Sequence, residues 1–295
     1  MGRYLKAVLA IALVLPACDA FVCSQQRIKA IESANKGVEA FKNNLYDTAE
    51  RELRSAIQTD ATYEMAWYNL GKVYQKQRKW DKATEAFEGA VQRAPGNANF
   101  HYDLGEAYLE AKRMDNAETS LKKAVELDPS LFKAHWRLGL VYLYEERPKE
   151  ADEALRKAIQ SNPRMDKPFI ALGRLYLDYD AEKEAEQVFS ECVRANETSA
   201  ECYNLHGVAL KALKQYDRAV GEFKKAIDLD GSLFDALYNC GMTYAEWYDE
   251  AHGNDQKQLA RDYLQKFVGT GGGKDGAASG FLRAANDKLY ALSGP

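Results

Sequence analysis

Four histidines are the residues of this 295-residue chain best suited to bind a metal or to exchange protons near neutral pH. They are His101, His135, His206 and His252. His101 and His135 stand 34 residues apart, at the same place in two copies of a repeated pattern. A zinc site needs ligands that converge on one ion, whereas residues one repeat apart are expected to pack between successive helices. We therefore predict no metal site, and no His-Glu-x-x-His motif occurs in the sequence.

A glycine-rich segment, residues 269–274, reads Gly-Thr-Gly-Gly-Gly-Lys and superficially resembles a phosphate-binding loop. Val268 stands where that loop needs its first glycine, and Asp275 replaces the magnesium-binding Ser or Thr, so we interpret the segment as a linker. Acidic pairs such as Asp249–Glu250 lack an apolar setting that would separate their pKa values. The sequence thus predicts a protein that is not an enzyme and needs no cofactor.

The elements that would position any such residue repeat with a period of 34 residues. Glycine recurs at Gly37, Gly71, Gly105, Gly139, Gly173, Gly207 and Gly241. A column of large apolar residues keeps the same step at Leu53, Phe87, Leu121, Leu155, Phe189 and Phe223, and a column of small residues at Ala56, Ala90, Ala124, Ala158, Cys192 and Ala226. Glycine inside a helix costs about 1 kcal/mol relative to alanine, so its strict return predicts close packing between helices.

One copy of the repeat has the expected residue at every defining position of a known motif. It reads Trp67-x-x-Leu70-Gly71-x-x-Tyr74, then Ala83-x-x-x-Phe87, Ala90 and Pro95. This pattern resembles the tetratricopeptide repeat, a helix pair that cannot bury its apolar faces alone and therefore stacks on its neighbours. The resemblance implies an all-α fold, a right-handed superhelical solenoid of about seven helix-turn-helix repeats with a C-terminal capping helix.

The repeat register sets the expected domain boundaries. The seven repeats span residues 30–63, 64–97, 98–131, 132–165, 166–199, 200–233 and 234–268. Residues 246–258 are interpreted as an insertion that lengthens the hairpin of the seventh repeat. A Gly-rich linker over residues 269–276 and a capping helix over residues 277–295 are expected to follow.

The N-terminus has the layout of a secretory signal. Arg3 and Lys6 precede an apolar run, residues 7–15, that is too short to span a bilayer as a mature helix. The run ends in Leu15-Pro16-Ala17-Cys18. These four residues resemble the bacterial lipobox, in which the cysteine is acylated and becomes the first residue of the mature protein.

The lipobox resemblance implies a lipoprotein signal peptide over residues 1–17, an acyl chain such as palmitate on Cys18 and a lipidated tether over residues 18–29. The chain would then be lipid-anchored in the cell envelope and face the periplasm, with the outer membrane favoured over the inner. An ordinary signal peptide cleaved near Ala17 or Ala20 is the alternative.

The other cysteines would lie in an oxidising compartment if Cys18 carries lipid. Cys192 falls late in one second helix and Cys202 early in the next first helix, and these elements pack together, so a disulfide between them is one hypothesis. The alternative is that Cys192 fills a small-residue core position and Cys202 stays free. Cys240 holds an apolar position of the repeat and is expected to be buried and unreactive.

The expected partners are proteins. The formal net charge is −4, with basic residues interspersed among acidic ones, so nucleic acid is not an expected partner. Tetratricopeptide proteins bind helices or extended peptides in a concave groove lined by the first helices of the repeats. By this resemblance the groove residues are Tyr68, Tyr102, Leu109, Lys133, Trp136, Leu140, Leu143, Tyr144, Ile170, Leu177 and Tyr238. An apolar and aromatic middle of this kind is typical of a protein contact site.

Two qualifications apply to this groove. Tyrosine at the position of Tyr68, Tyr102 and Tyr238 is common in the family, and the alternative is that it serves the fold. Lys133 and Arg137 look like part of a clamp that grips a C-terminal carboxylate in chaperone-binding members, but the preceding repeats do not complete it. Binding of chaperone tails is therefore not expected.

These features predict a membrane-anchored periplasmic scaffold. A lipobox followed by such repeats is similar to lipoproteins that assist assembly of the outer-membrane secretin of type IV pili, which is the first hypothesis. It is also similar to scaffold lipoproteins of gliding-motility, secretion and cell-wall-synthesis machines. A subunit of such a complex, or a non-catalytic regulator of a peptidoglycan synthase or hydrolase, is the alternative.

Overall fold

The computed structural model describes residues 24–251, 253–270 and 279–293, which form fifteen α-helices. Helix α1 covers residues 24–42. The others are α2 (Tyr46–Thr59), α3 (Glu64–Lys76), α4 (Trp80–Arg93), α5 (Ala98–Glu110), α6 (Met114–Leu127), α7 (Phe132–Tyr144), α8 (Pro148–Ser161), α9 (Asp166–Asp178), α10 (Glu182–Ala195), α11 (Ala200–Ala212), α12 (Tyr216–Leu229), α13 (Phe234–Ala251), α14 (Asn254–Gly269) and α15 (Ser279–Leu292). No strand occurs within the described ranges. The all-α prediction is confirmed.

The chain divides into two compact units, and the division falls inside α7. Unit 1 is Met1–Val141 and unit 2 is Tyr142–Pro295. Within each unit the helices pack in sequential pairs, for example α3 with α4 in unit 1 and α11 with α12 in unit 2. This is the helix pairing that the 34-residue period predicts.

The glycine column is explained by the packing inside each helix pair. A Cβ atom added at Gly71 would lie 2.5 Å from Cε1 of Phe87, and one added at Gly173 would lie 2.3 Å from Cζ of Phe189. Both phenylalanines are fully buried, so they have little freedom to move aside. In both pairs the large residue follows the glycine by 16 positions, and only glycine leaves room for it.

The turn between the first and second helix of a repeat uses one residue with positive φ. These residues recur every 34 positions and are Asn44, Arg78, Lys112, Glu146, Asp180 and Lys214, with φ between 53° and 60°. None of them is glycine, so each carries the steric cost of the left-handed conformation. The next residue in this series is Tyr248, which lies inside α13.

The seventh repeat departs from this series because its insertion extends the first helix. Gly241 packs against Leu264, which follows it by 23 positions instead of 16, so seven residues are added. Helix α13 accordingly has 18 residues, whereas α11 has 13. The predicted insertion is therefore helical over the part that belongs to α13.

The extension of α13 binds neighbouring elements of unit 2. Lys288 on α15 donates a hydrogen bond to Asp249 at 2.6 Å. The ring of Trp247 stacks with Tyr216 and with Tyr244, at centroid distances of 6.5 and 6.2 Å. The added residues thus connect the sixth repeat to the C-terminal helix.

The tether predicted over residues 18–29 is wrong from residue 24 onward, because α1 already begins there. Arg27 accounts for this early start. Its guanidinium lies 3.0 Å from Asp60 and 3.4 Å from Glu64, and it covers the ring of Tyr63 at 4.7 Å. These contacts attach the first turn of α1 to the connection between α2 and α3.

The predicted linker begins too early, since Gly269 is the last residue of α14. The predicted signal peptide, Cys18, His252 and residues 271–276 lie outside the described residues. The capping helix expected over residues 277–295 corresponds to α15. In the described part of the chain, no helix combines the length and the apolar character that crossing a membrane requires.

Candidate protein-binding surface

The residues predicted to bind a partner lie on the first helices of the repeats, and the unit boundary divides them into two sets. The first-helix surface of unit 1 is Tyr68, Lys72, Gln75, Tyr102, Glu106, Leu109, Lys133, Trp136 and Leu140, on α3, α5 and α7. The first-helix surface of unit 2 is Leu143, Tyr144, Ile170, Leu177, Asn204 and Tyr238, on the last turn of α7 and on α9, α11 and α13.

Asp103 is a buried charge in the first-helix surface of unit 1, with 5% of the residue exposed. The Tyr68 hydroxyl donates a hydrogen bond to its Oδ2 atom at 2.6 Å, and Lys72 Nζ donates to Oδ1 at 3.2 Å. Burial, and then the hydrogen bond to Asp103, raises the pKa of Tyr68, so the phenol remains a donor at neutral pH. Its ring stacks on Phe100 with centroids 4.7 Å apart. Tyr68 and Lys72 are thus fixed by α5.

Glu106 is the second bonded carboxylate of this surface. Arg137 Nη2 donates to its Oε1 atom at 2.5 Å, and Gln75 Nε2 donates to Oε2 at 2.9 Å. The Tyr102 hydroxyl also donates to Oε1, at 3.2 Å. Burial first, and the charge of Glu106 second, raises the pKa of Tyr102 to about 12. Glu106 therefore connects α3, α5 and α7 through three donors.

The more open part of this surface lies on α7 and at the end of α5. Lys133 is exposed, while Leu109, Trp136 and Leu140 are half-buried. The guanidinium of Arg137 covers the Trp136 ring, 4.5 Å from its centroid, and so holds the ring in place. The surface of unit 1 therefore combines a fixed polar part with partly exposed apolar side chains and one exposed cation.

Ile170 and Leu177 of unit 2 belong to a hydrophobic cluster formed with Phe189 and Leu205. Ile170 is only 8% exposed, so the structure does not support the prediction that it faces a groove. A β-branched side chain on α9 packs here against the neighbouring helices. Leu177 keeps partial exposure at the edge of the same cluster.

Tyr238 is covered by the C-terminal helix. Its ring meets Phe267 at a centroid distance of 5.4 Å and meets Phe281 of α15 edge-on at 5.0 Å. Burial raises its pKa. These contacts favour the alternative for this residue, in which the tyrosine serves the fold.

The remaining residues of the first-helix surface of unit 2 differ in exposure. Tyr144 is 69% exposed and Leu143 is half-buried on the last turn of α7. Asn204, 5% exposed, accepts a hydrogen bond from Asn239 Nδ2 at 3.0 Å, which connects α11 to α13. Tyr144 is thus the most open residue of the predicted set in unit 2.

Two of the four histidines contact backbone carbonyl groups. His101 lies 2.9 Å from the carbonyl oxygen of Pro95, and His135 makes the equivalent contact with Pro129 at 3.0 Å. Burial raises the pKa of the Cys240 thiol to about 12, so the thiol stays protonated and is a poor nucleophile. Among the described residues, no group of three or more His, Cys, Asp or Glu is arranged to hold a metal ion.

Cys192 and Cys202 form a disulfide, with their Cα atoms 5.8 Å apart. That distance is within the range that disulfides span. Both residues are fully buried. The bond joins the last turn of α10 to the first turn of α11.

Sequence reasoning missed how the charges of unit 1 pair. Lys72 and Asp103 are 31 residues apart, as are Glu106 and Arg137, and both pairs form ion pairs, at 3.2 and 2.5 Å. Two opposite charges that stand 31 residues apart, three fewer than the repeat length, predict such an ion pair between successive first helices. The sequence pattern predicts a role for Arg137 only as part of an incomplete clamp.

A family of known sequence matches most of the chain. Residues 22–246 match the family described as the cilia and flagella-associated protein 70 C-terminal domain, a tetratricopeptide repeat domain. Among curated proteins, none matches the chain significantly.

Several solved structures have the same fold. The C-terminal part of a tetratricopeptide protein from Cytophaga hutchinsonii is 17% identical, with a TM-score of 0.69, covering 86% of this chain and 98% of its own. YrrB, described as a tetratricopeptide protein with an unusual peptide-binding site, is 25% identical, with a TM-score of 0.54 and coverage of 69% and 100%. PilW, described as a widely conserved type IV pilus biogenesis factor, is 19% identical, with a TM-score of 0.58 and coverage of 70% and 96%.

Proposed function

The chain belongs to the tetratricopeptide repeat family that the C-terminal domain of cilia and flagella-associated protein 70 represents, and from this premise we propose that it is a non-catalytic scaffold whose first-helix surfaces bind segments of partner proteins. The binding segment is a helix or an extended peptide with apolar side chains. In unit 1 it also carries a carboxylate that pairs with Lys133.

The observation that carries this proposal is the contrast within the first-helix surface of unit 1. Asp103 and Glu106 are bonded to donors from neighbouring first helices, so the polar part of the surface is already ordered. Trp136 and Leu140 stay partly exposed beside it, and Lys133 is exposed at the start of the same helix. Apolar side chains on an ordered frame lose little freedom when a partner binds, which favours affinity.

YrrB supports a peptide ligand. It is a tetratricopeptide protein with a peptide-binding site and is 25% identical to this chain. The surface in unit 1 is a reasonable counterpart because it has partly exposed apolar residues, whereas Ile170 and Tyr238 of unit 2 are packed against other helices.

The proposed setting is the bacterial cell envelope. The signal-like N-terminus and the lipobox around Cys18 favour lipid anchoring with the repeats in the periplasm. The Cys192–Cys202 disulfide is in keeping with an oxidising compartment. Within the envelope, assembly of the type IV pilus secretin is our first choice, since PilW combines this fold with a role in pilus biogenesis. A non-catalytic regulator of a peptidoglycan synthase or hydrolase, or a subunit of a gliding or secretion complex, is the second candidate.

A capture experiment tests the binding surface and separates these candidates. The full chain is used to capture proteins from solubilised envelopes, beside a Trp136→Ala, Leu140→Ala double variant and a Tyr290→Ala control. Tyr290 is 85% exposed on α15 and lies outside both first-helix surfaces. We expect the double variant to keep its helical circular dichroism and to lose the specific partner, while the control keeps it. Equal capture by the double variant would refute the proposal.

The identity of the captured protein decides the setting. Secretin or pilus subunits favour the first candidate, and peptidoglycan synthases or hydrolases favour the second. Mass spectrometry of the mature N-terminal peptide tests the anchor: an acylated Cys18 is expected, and a Cys18→Ser variant should leave the membrane fraction. An unmodified N-terminus at another residue would refute the anchor without affecting the binding surface.

A further inference from the structure

The junction between α10 and α11 is the only described junction in which two cysteines face each other. We infer that the Cys192–Cys202 disulfide is a redox latch: when oxidised it holds this junction closed, and when reduced it lets the junction open locally while the C-terminal core of unit 2 stays folded. Both cysteines are fully buried, and their Cα atoms are 5.8 Å apart. The inference does not depend on which partner the scaffold binds.

Equivalent positions in the other repeats show which side chains fill this junction when no disulfide is present. At three of the five other junctions the corresponding pair is two alanines, Ala56 with Ala66, Ala124 with Ala134, and Ala226 with Ala236, whereas the other two junctions have Phe100 and Pro168 at the second position. All six alanines are fully buried. Two methyl groups therefore suffice to fill this position when no bond joins the helices.

Two thiols suit the same space less well. Bonded sulfur atoms lie closer together than the sulfurs of two separate thiols can pack. Breaking the bond therefore places two sulfur atoms that need a wider separation in a site that alanine pairs fill at three other junctions, and overpacking of a buried site is destabilising. Reduction is thus expected to disturb the junction more than removal of both sulfurs does.

The chemistry of the latch is thiol–disulfide exchange. A dithiol reductant attacks one sulfur, the Cys192–Cys202 bond breaks, and a mixed disulfide forms with the reductant; the second reductant thiol then releases the protein thiol and leaves an oxidised, cyclic reductant. Two electrons and two protons pass to the protein. The reverse reaction uses a disulfide oxidant, which becomes a dithiol. Because both cysteines are buried, exchange begins in brief local fluctuations of the oxidised junction, and reduction then makes the opening more frequent.

The surroundings of the latch favour local opening. Across the junction, His206 Nε2 on α11 lies 3.5 Å from Glu186 Oε1 on α10. Ser199 Oγ donates to Asp166 at 3.0 Å, and Arg174 pairs with Glu201 at 3.2 Å between exposed side chains, so both contacts tie the start of α11 to α9. The neighbouring hydrophobic cluster is small. Cys240 lies in a different and larger cluster that includes α12 to α15, and regions with few buried contacts open at lower free energy.

Cys240 is therefore an internal reporter for the first experiment. The purified full chain is treated with dithiothreitol without denaturant and then with iodoacetamide, and each cysteine is quantified by peptide mass spectrometry. We expect Cys192 and Cys202 to be protected before reduction and, after it, to be alkylated roughly tenfold or more faster than Cys240, as local opening requires. Free thiols at both positions before reduction, persistence of the disulfide in dithiothreitol, or alkylation of all three cysteines at one rate would each overturn the inference.

A Cys192→Ala, Cys202→Ala variant is the matched control, since it recreates the alanine pair found at three other junctions. Melting temperatures are compared with and without dithiothreitol. The oxidised chain should melt highest, the alanine variant next and the reduced chain lowest, and dithiothreitol should not change the variant. A reduced chain that melts at or above the alanine variant would show that the thiols fit the junction, and would also overturn the inference.

Discussion

Gly207 on α11 lies directly against the ring of Phe223 on α12, so that a Cβ atom added at Gly207 would come within 2.6 Å of the ring atom Cε1. Phe223 is fully buried, and a ring in a close-packed core has little room to turn aside. The position of Phe223 on the second helix therefore requires glycine at residue 207. The same requirement in other repeats produces the 34-residue period of glycine in the sequence.

Gly207→Ala should lower the free energy of unfolding by about 1–3 kcal/mol, because the added methyl group overpacks the contact with Phe223. Urea denaturation monitored by circular dichroism measures this change. Gly221→Ala is the matched control: Gly221 lies inside α12 and a Cβ atom there would meet nothing within 4 Å. That substitution should stabilise by up to about 1 kcal/mol through helix propensity. Changes of the same sign in both variants would contradict this account.

The helix pairs could be predicted from sequence because each repeat meets the same local constraint. Gly71 predicts a large partner at Phe87, and the period then fixes where each pair begins and ends. The structure differs from the prediction at the places where the repeat pattern is interrupted. Arg27 holds an extra turn on α1, and the insertion after Gly241 continues a helix instead of forming a loop. Neither the tertiary ion pair nor the helical state of an insertion is visible in a periodic pattern.

The sequence predicted which helices the candidate binding residues lie on, but it did not predict how exposed their side chains are. Ile170 and Tyr144 both lie on first helices at positions that the family uses for binding, yet Ile170 is 8% exposed and Tyr144 is 69% exposed. The difference depends on the side chains that other helices bring to each position. Phe281 covers Tyr238 in the same way, from a helix outside the repeats. A repeat register assigns a residue to a face, while its neighbours decide how much of it a partner can reach.

Lys112→Gly should stabilise the chain by about 1 kcal/mol. Lys112 has a φ of 59°, a conformation that costs a residue with a Cβ atom more than it costs glycine. Its backbone N–H donates to the carbonyl oxygen of Leu109 at 2.9 Å, and glycine keeps that bond. The control is Lys225→Gly, an exposed position inside α12, which should destabilise by about 1 kcal/mol. Thermal unfolding of both variants checks the prediction, and destabilisation by Lys112→Gly would refute it.

Stability should fall as the pH rises above about 10. The pKa of Tyr102 is raised to about 12 by burial and then by the charge of Glu106, and that of Tyr108 to about 12 by burial and then by its hydrogen bond to Glu88. The folded state thus holds these protons more tightly than the unfolded chain does. Their contribution is fully present below the unfolded pKa near 10 and is lost as the pH rises towards 12. Urea denaturation from pH 8 to pH 11 measures the slope (roughly the range that brackets an ordinary tyrosine pKa). A Tyr102→Phe, Tyr108→Phe variant should show a shallower slope, and an unchanged slope would contradict the assignment.

Trp247→Ala should lower the free energy of unfolding by about 2 kcal/mol, since the ring is half-buried and stacks between Tyr216 and Tyr244. The substitution should also destabilise α15, because Asp249, two residues after Trp247, accepts a hydrogen bond from Lys288 of α15. Hydrogen exchange with mass spectrometry separates these effects. In the Trp247→Ala variant, exchange should accelerate in both α13 and α15, whereas Lys288→Ala should accelerate it in α15 alone. If Trp247→Ala leaves exchange in α15 unchanged, the extension of α13 does not support the C-terminal helix, and the seven added residues stabilise only the sixth and seventh repeats.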